Sequence, residues 1–416
     1  MTELQHHSVI HKQPSIVGGT AIIAGTVIGA GMFSLPVVSA GMGFLWSFLW
    51  LALTGFCMLH TALLILETNL NFAPGASFDT FIGQTLGPRW KMLNNLSLVF
   101  VLYVLCYAFI SGGASSAAQT LRASISVELS PVVAVVLYSL FTAVIVWIGT
   151  ATVGRVTTVI VAGMVVSFAL SIAQLMSGTT PALLLDVKPD YFVYSFAALP
   201  VYLASFGFHT NVPSLVKFYG KEPARISRCL VYGTMISLAV YTVWQAVTLG
   251  QIPRDGWMPI IEKGGNIGPM VAAISGQDKT GIVMPLLTTF ANLAVISSFL
   301  GGALGLFDFI ADACGFKDDY FGRLKSTALT FLPPTVVCMF FPNGFILAIG
   351  FVGLAAVVFA IIIPVRAAQV SRQKFGNPLF RVWGGNGLLY FLLGYGALVA
   401  ICHILGLAGQ LPLFGQ

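Results

Sequence analysis

The chain has 416 residues, of which 57% are hydrophobic and only 8% charged, and its mean hydropathy is +0.91. This composition excludes an ordinary water-soluble domain, and the apolar runs are continuous rather than alternating, which points to membrane-spanning helices and away from barrel strands. The formal net charge of +6 acquires its meaning from where the basic residues fall.

Residues 1–14 form a polar tail with His6, His7 and His11, expected to be solvated. The apolar run that follows is too long for a signal-peptide core and lacks a cleavage site, so it is kept as an uncleaved first helix. Eleven apolar stretches follow one another at about 15–40, 44–70, 92–119, 131–150, 154–177, 191–216, 226–250, 281–312, 324–341, 344–367 and 386–408. Eleven spans place the termini on opposite sides. With the N-terminus in the cytoplasm and the C-terminus in the periplasm, fifteen of the twenty Lys and Arg residues lie inside, against Arg122, Lys188, Arg254, Lys263 and Lys279 outside. The positive charge is therefore a matter of topology, and no nucleic-acid partner is expected; the lipid bilayer is.

The first stretch carries "GTVIGAGMFSLP", Gly25 to Pro36, and the sixth carries "LASFGFHTNVPSL" with Gly207 and Pro213. Each stretch is broken, and five helices begin with each break. Since five is odd, the two halves have opposite topology, an inverted repeat with an added eleventh helix. The predicted organisation is a cytoplasmic tail at 1–14, a first five-helix repeat at 15–177, an inverted second at 191–370, and the eleventh helix and C-terminal end at 371–416. Paired discontinuous helices mark the midplane site of secondary transporters. A break frees amides at one half-helix and carbonyls at the other, and a zwitterion needs both. Gly25 and Gly29 are also spaced as GxxxG and suit a helix contact, but the matched sixth-helix break favours a site. A nucleotide loop is excluded, because no strand precedes Gly29-Ala-Gly31 and no GK[ST] follows.

Around the breaks, Phe33, Phe206 and Phe208, with Tyr103 and Tyr107 on one face of the third helix, are read as a floor for a flat ring. His209 is open to two readings, a functional ionisable group or a neutral imidazole held by a neighbouring helix. Glu67 is expected to be interfacial and hydrated, and Asp308 and Asp312 to contact basic loops. The segment from Gly250 to Met270, rich in Gly and Pro, is expected to be an outer lid. The six cysteines show no ligand spacing and are read as packing residues.

"GTVIGAGMFSLP", "CMLHTALLILETNLN", "LASFGFHTNVPSLVKFYGK", "NLAVISSFLGGALGLFDFIAD" and "FPNGFILAIGFVGLAA" together resemble the bacterial aromatic amino acid permeases of the amino acid–polyamine–organocation superfamily. The tryptophan-specific branch is nearest and the tyrosine branch next. The resemblance implies an all-α polytopic protein of the LeuT-type fold that imports an aromatic amino acid, L-tryptophan first, driven by a proton or sodium gradient. No cofactor and no enzymatic chemistry are implied; a channel is the alternative of a different class. It further implies a substrate site at the backbone of Thr26, Ile28, Gly29, Ala30 and Gly31 of the first helix, to which the reading of the aromatics adds Phe33, Tyr103 and Tyr107. Ser205, Phe206, Gly207, Phe208, His209 and Asn211 complete it from the sixth. A sodium site is implied at Gly25, Ile28, Ala294, Ser297 and Ser298, an AxxSS spacing on the eighth helix. Lysine on the fifth helix, which in several such permeases replaces the cation, is missing; Met164 stands there.

Overall fold

The computed structural model describes residues 15–148, 150–276, 281–317, 319–376 and 379–415; the expected tail at 1–14 and Lys279 lie outside them. No strand occurs among the described residues. The first stretch is α1 (Ile16–Val27), one 3-10 turn (Ala30–Phe33) and α2 (Ser34–Ser39), with a bend of 51° between its halves. Ser15 caps α1 by accepting from the Val17 amide.

Next come α3 (Gly43–Asn69), the short α4 (Phe78–Leu86), α5 (Pro88–Ile125), α6 (Pro131–Ile148) and α7 (Thr150–Gly178). At 38 residues, α5 overruns its predicted 92–119 at both ends. Pro88 starts it where a missing amide costs nothing, and Ser126 ends it in the left-handed region. Beside α5, α4 is tied down by Asp79, which meets Lys91 at 2.8 Å and accepts from Asn95. The hydrogen bond from Lys91 holds the Asp79 carboxyl below its usual range.

After a one-turn α8 (Pro181–Leu184), the sixth stretch is broken into α9 (Ser195–Ser205) and α10 (Asn211–Tyr219). Then follow α11 (Pro223–Leu249), α12 (Met258–Glu262), α13 (Ile267–Ser275), α14 (Val283–Cys314) and α15 (Tyr320–Phe340). A continuous helix runs from α16 (Phe345–Ala356) through a π turn into α17 (Ile363–Lys374), and α18 (Gly385–Leu407) is last.

Eight of these helices are each long and apolar enough to cross a bilayer, and the bent α1–α2 pair makes a ninth. Of the eleven predicted spans, two fall outside that set. The sixth is split into halves of 11 and 9 residues, too short to cross singly, and α15 has Arg323 and Lys325 near its start and two prolines inside.

α11 packs on α1 and α3, while α14 packs on α5 and α7. α16 approaches α9 so closely that a β-carbon on Gly353 would collide with the Pro200 carbonyl. All six cysteines are free, and all but Cys314 are buried. The expected lid is a structured cap. Trp257, Ile260, Ile267 and Met270 are buried in it and α13 lies on α5, because its apolar positions recur at helical spacing. Arg254 of the cap donates twice to the Gly41 carbonyl and sits over the rings of Tyr191 and Phe414, at 3.9 and 4.2 Å.

Candidate functional site

The two breaks meet. α1 ends at Val27 and the chain runs through Ile28 and an extended Gly29 (φ −158°) into its 3-10 turn; α9 ends at Ser205 and α10 begins at Asn211, with five residues between them. One side chain of α11 spans both ends. The hydroxyl of Tyr241, fully buried, lies 2.5 Å from the Val27 carbonyl and 2.8 Å from that of Ser205. One turn further, Trp244 Nε1 donates to the Met32 carbonyl at 3.0 Å. Asn211 at the start of α10 donates to Thr26 Oγ1 at 2.6 Å, and that hydroxyl donates to the Ile22 carbonyl.

Between the breaks and α5, α14 and α16 lies a cavity of about 550 Å³, a size suited to a small organic ligand. Gly25, Thr26, Val27, Gly29, Gly31, Ser205, Gly207 and Asn211 line it, as do Ser297 and Ser298 of α14. Leu102, Leu105 and Phe109 of α5 and Ile349 of α16 supply apolar wall. Among the described residues, no lining residue is ionisable. Charge on a ligand must therefore be met by backbone groups, hydroxyls and the poles of the half-helices. Gly25, Thr26, Gly207, Thr210, Gly301 and Gly305 are exposed on the side where α1 begins. At the opposite end Phe33, Trp244 and Phe290 pack edge-on and tilted, with centroids 5.2 to 5.8 Å apart, and Phe168 leans on Phe290.

The aromatic floor predicted from sequence is not there. Phe33 belongs to the closed end, while Phe206, packed edge-on against Tyr241, and Phe208 are fully buried. Tyr103 and Tyr107 face a different groove, and their hydroxyls donate to the Leu329 and Phe341 carbonyls. The register explains this: the cavity face of α5 is 102, 105 and 109, Tyr103 lies one position past Leu102, turned about 100° away, and Tyr107 two positions past Leu105, turned about 200°.

His209 is buried outside the cavity lining. Its Nε2 lies 2.7 Å from the hydroxyl of Thr61 on α3, and its Nδ1 has no hydrogen-bond partner among the described residues. Glu67 is not hydrated. It is 1% exposed, grips Arg372 through two bonds of 2.6 and 2.9 Å, and accepts from the Val382 amide, because the end of α17 and the following segment fold over it. Asp308 and Asp312 are exposed outside the cavity.

Of the residues expected to hold a cation, Gly25, Ser297 and Ser298 line the cavity, and Ser297 donates to the buried Ala294 carbonyl at 3.0 Å. Ile28 is half-buried beside them in the break. Gly31 leaves room, since a β-carbon there would meet only Ser205 in ordinary contact, its Oγ at 3.7 Å and its Cα at 3.9 Å. Ala30 opens the 3-10 turn. Met164 is buried in α7. Tyr241, Trp244 and the glycines of α14 went unnoticed in the sequence; a tyrosine inside an apolar helix and the Gly301–Gly302–Gly305 cluster were the available signals.

The model of the tryptophan/tyrosine permease family matches residues 12–403. The chain is 49% identical to a tryptophan-specific transport protein of Pseudomonas aeruginosa, over 96% of this chain and 97% of that one. It is 39% identical to a low affinity tryptophan permease of Escherichia coli, over 97% and 99%. It is also 39% identical to a tyrosine permease of Enterobacter agglomerans, over 96% and 98%.

Proposed function

This chain belongs to the tryptophan/tyrosine permease family, and from that premise we propose that it imports L-tryptophan across the bacterial inner membrane as a cation-coupled symporter. The observation that carries the reading is the cavity between the two breaks, which has no ionisable lining residue among the described residues. An amino acid zwitterion has no net charge but two strong poles. The carbonyl ends of α1 and α9 suit its ammonium, and the amide end of the turn opening at Ala30 suits its carboxylate. Its ring has Leu102, Leu105, Phe109 and Ile349 to lie against.

In this reading the chain has the LeuT-type 5+5 arrangement with an eleventh helix, the N-terminus in the cytoplasm and the C-terminus in the periplasm. The cavity then opens inward, and the Phe33–Trp244–Phe290 layer is the closed outer end of an alternating-access cycle. Sodium is the coupling ion, received by Gly25, Ile28, Ala294, Ser297 and Ser298 as neutral oxygen ligands. The 39% identity to a tyrosine permease, below the 49% to a tryptophan-specific transport protein, makes tyrosine the second substrate to test.

The experiment is counterflow. Purified protein in liposomes preloaded with unlabelled tryptophan should accumulate labelled tryptophan saturably, ahead of tyrosine and phenylalanine. A linear, non-saturating flux would indicate a channel, and equal acceleration by leucine or lysine would refute an aromatic substrate.

A further inference from the structure

We infer that Tyr241 is a positioning residue that holds the carbonyl ends of the two broken helices at one point, where they jointly receive the ammonium group of the substrate. The inference rests on the reading of the substrate as an amino acid and goes beyond it by assigning a residue of α11 to recognition of one substrate group.

The geometry is specific. A phenol has one proton to donate, and two carbonyl oxygens stand within 2.5 and 2.8 Å of it. Only one can be fully bonded at a time. The two are not ordinary carbonyls: Val27 and Ser205 are the last residues of α1 and α9, so each sits among orphan acceptors at the negative pole of a helix. The hydroxyl of Ser205 offers no help, being committed to the Val201 carbonyl. Two negative poles brought together with one shared proton leave an unmet demand for positive donors. Both residues line the cavity, and an ammonium with three N–H groups answers that demand.

Tyr241 is suited to fix the spacing because it cannot shift. Its ring is fully buried and packs edge-on against Phe206 at 5.4 Å. On the same helix, Trp244 anchors the first break through Met32. Loss of the hydroxyl frees the two helix ends to drift apart without removing any group that touches the ring or the carboxylate of the ligand.

The test compares two ligands in the full-length protein. Tryptophan and indole-3-propionate share ring and carboxylate and differ in the ammonium. In Tyr241→Phe, tryptophan affinity should fall about ten-fold, as for loss of support to one charge-assisted hydrogen bond, while indole-3-propionate should change by less than about two-fold. Tyr241→Gln, which restores a donor, should recover part of the tryptophan affinity alone. Equal losses for both ligands would make Tyr241 merely structural and overturn the inference, as would no loss for either. If Tyr241→Phe does not insert, Tyr241→Gln must show a smaller loss that is still confined to tryptophan. Wild-type protein that binds neither ligand would instead refute the amino acid reading itself.

Discussion

Gly29 lies so close to Ser298 that a β-carbon built on the glycine would overlap the serine hydroxyl, whereas Ser298 Cβ would remain 3.6 Å away. The extended backbone of Gly29 is open to any residue, so glycine is needed here for space. Gly29→Ala should insert normally and drive the Ser298 hydroxyl out of its position, because an Oγ rotates more easily than a helix moves. Tryptophan uptake should fall at least about ten-fold, as when a site loses one oxygen ligand and its access, and adding Ser298→Gly should recover packing without recovering cation dependence. Unchanged uptake in Gly29→Ala would show that the contact has no part in transport.

The second expectation concerns the ion. Ligands that are all neutral oxygens suit sodium and offer no proton acceptor. Replacing sodium by choline at constant pH should abolish accumulation of labelled tryptophan, and Ser298→Ala should raise the sodium needed for half-maximal uptake. Full accumulation on a pH gradient alone would transfer the coupling role to a proton, with His209 the first group to replace.

The helices and both breaks were legible in the sequence, because long apolar runs and their Gly and Pro interruptions are local signals. Gly25, Gly29, Ser205, Gly207, Ser297 and Ser298 line one cavity. What was illegible depends on rotation and on contacts distant in sequence. The difference between Tyr103 and Leu102 is one residue of helical register, and an apolar helix facing lipid on one side and a cavity on the other gives little polar patterning to fix it. The bond of Tyr241 joins residues 214 and 36 positions away. Glu67 lies 305 residues from Arg372, and no local pattern announces that pair.

Asn211 and Thr26 provide a third expectation. The Thr26 hydroxyl gives its proton to Ile22 and can only accept from Asn211. Asn211→Asp replaces a donor by a charged acceptor and adds a carboxylate beside the cavity. Its KM for tryptophan should rise more than that of Asn211→Ala, despite the closer shape. An Asp variant with the wild-type KM would count against both the bond and the carboxylate-bearing substrate.

The fourth concerns stability. Glu67→Leu leaves the Arg372 guanidinium without its bidentate partner and should destabilise the detergent-solubilised protein by about 3 kcal/mol, the low end for a buried pair because Arg372 keeps some exposure. Glu67→Leu with Arg372→Met should be more stable than Glu67→Leu alone. Thermal unfolding followed by tryptophan fluorescence measures both, and a double variant no more stable than the single one would show that the cost lies in packing.

The most direct measurement is to find where the substrate sits. A photoreactive azido derivative of tryptophan, activated on the reconstituted protein and mapped by peptide mass, should label α5 near Leu102–Phe109, the segment from Ser205 to Asn211 and α14 near Ser297–Gly305, with excess tryptophan protecting all three. The described residues enclose other spaces, among them the groove beside Tyr103, Tyr107 and Phe341 and the pocket lined by His403 and Phe414. Protected labelling confined to either of those would contradict a site built from the two broken helices.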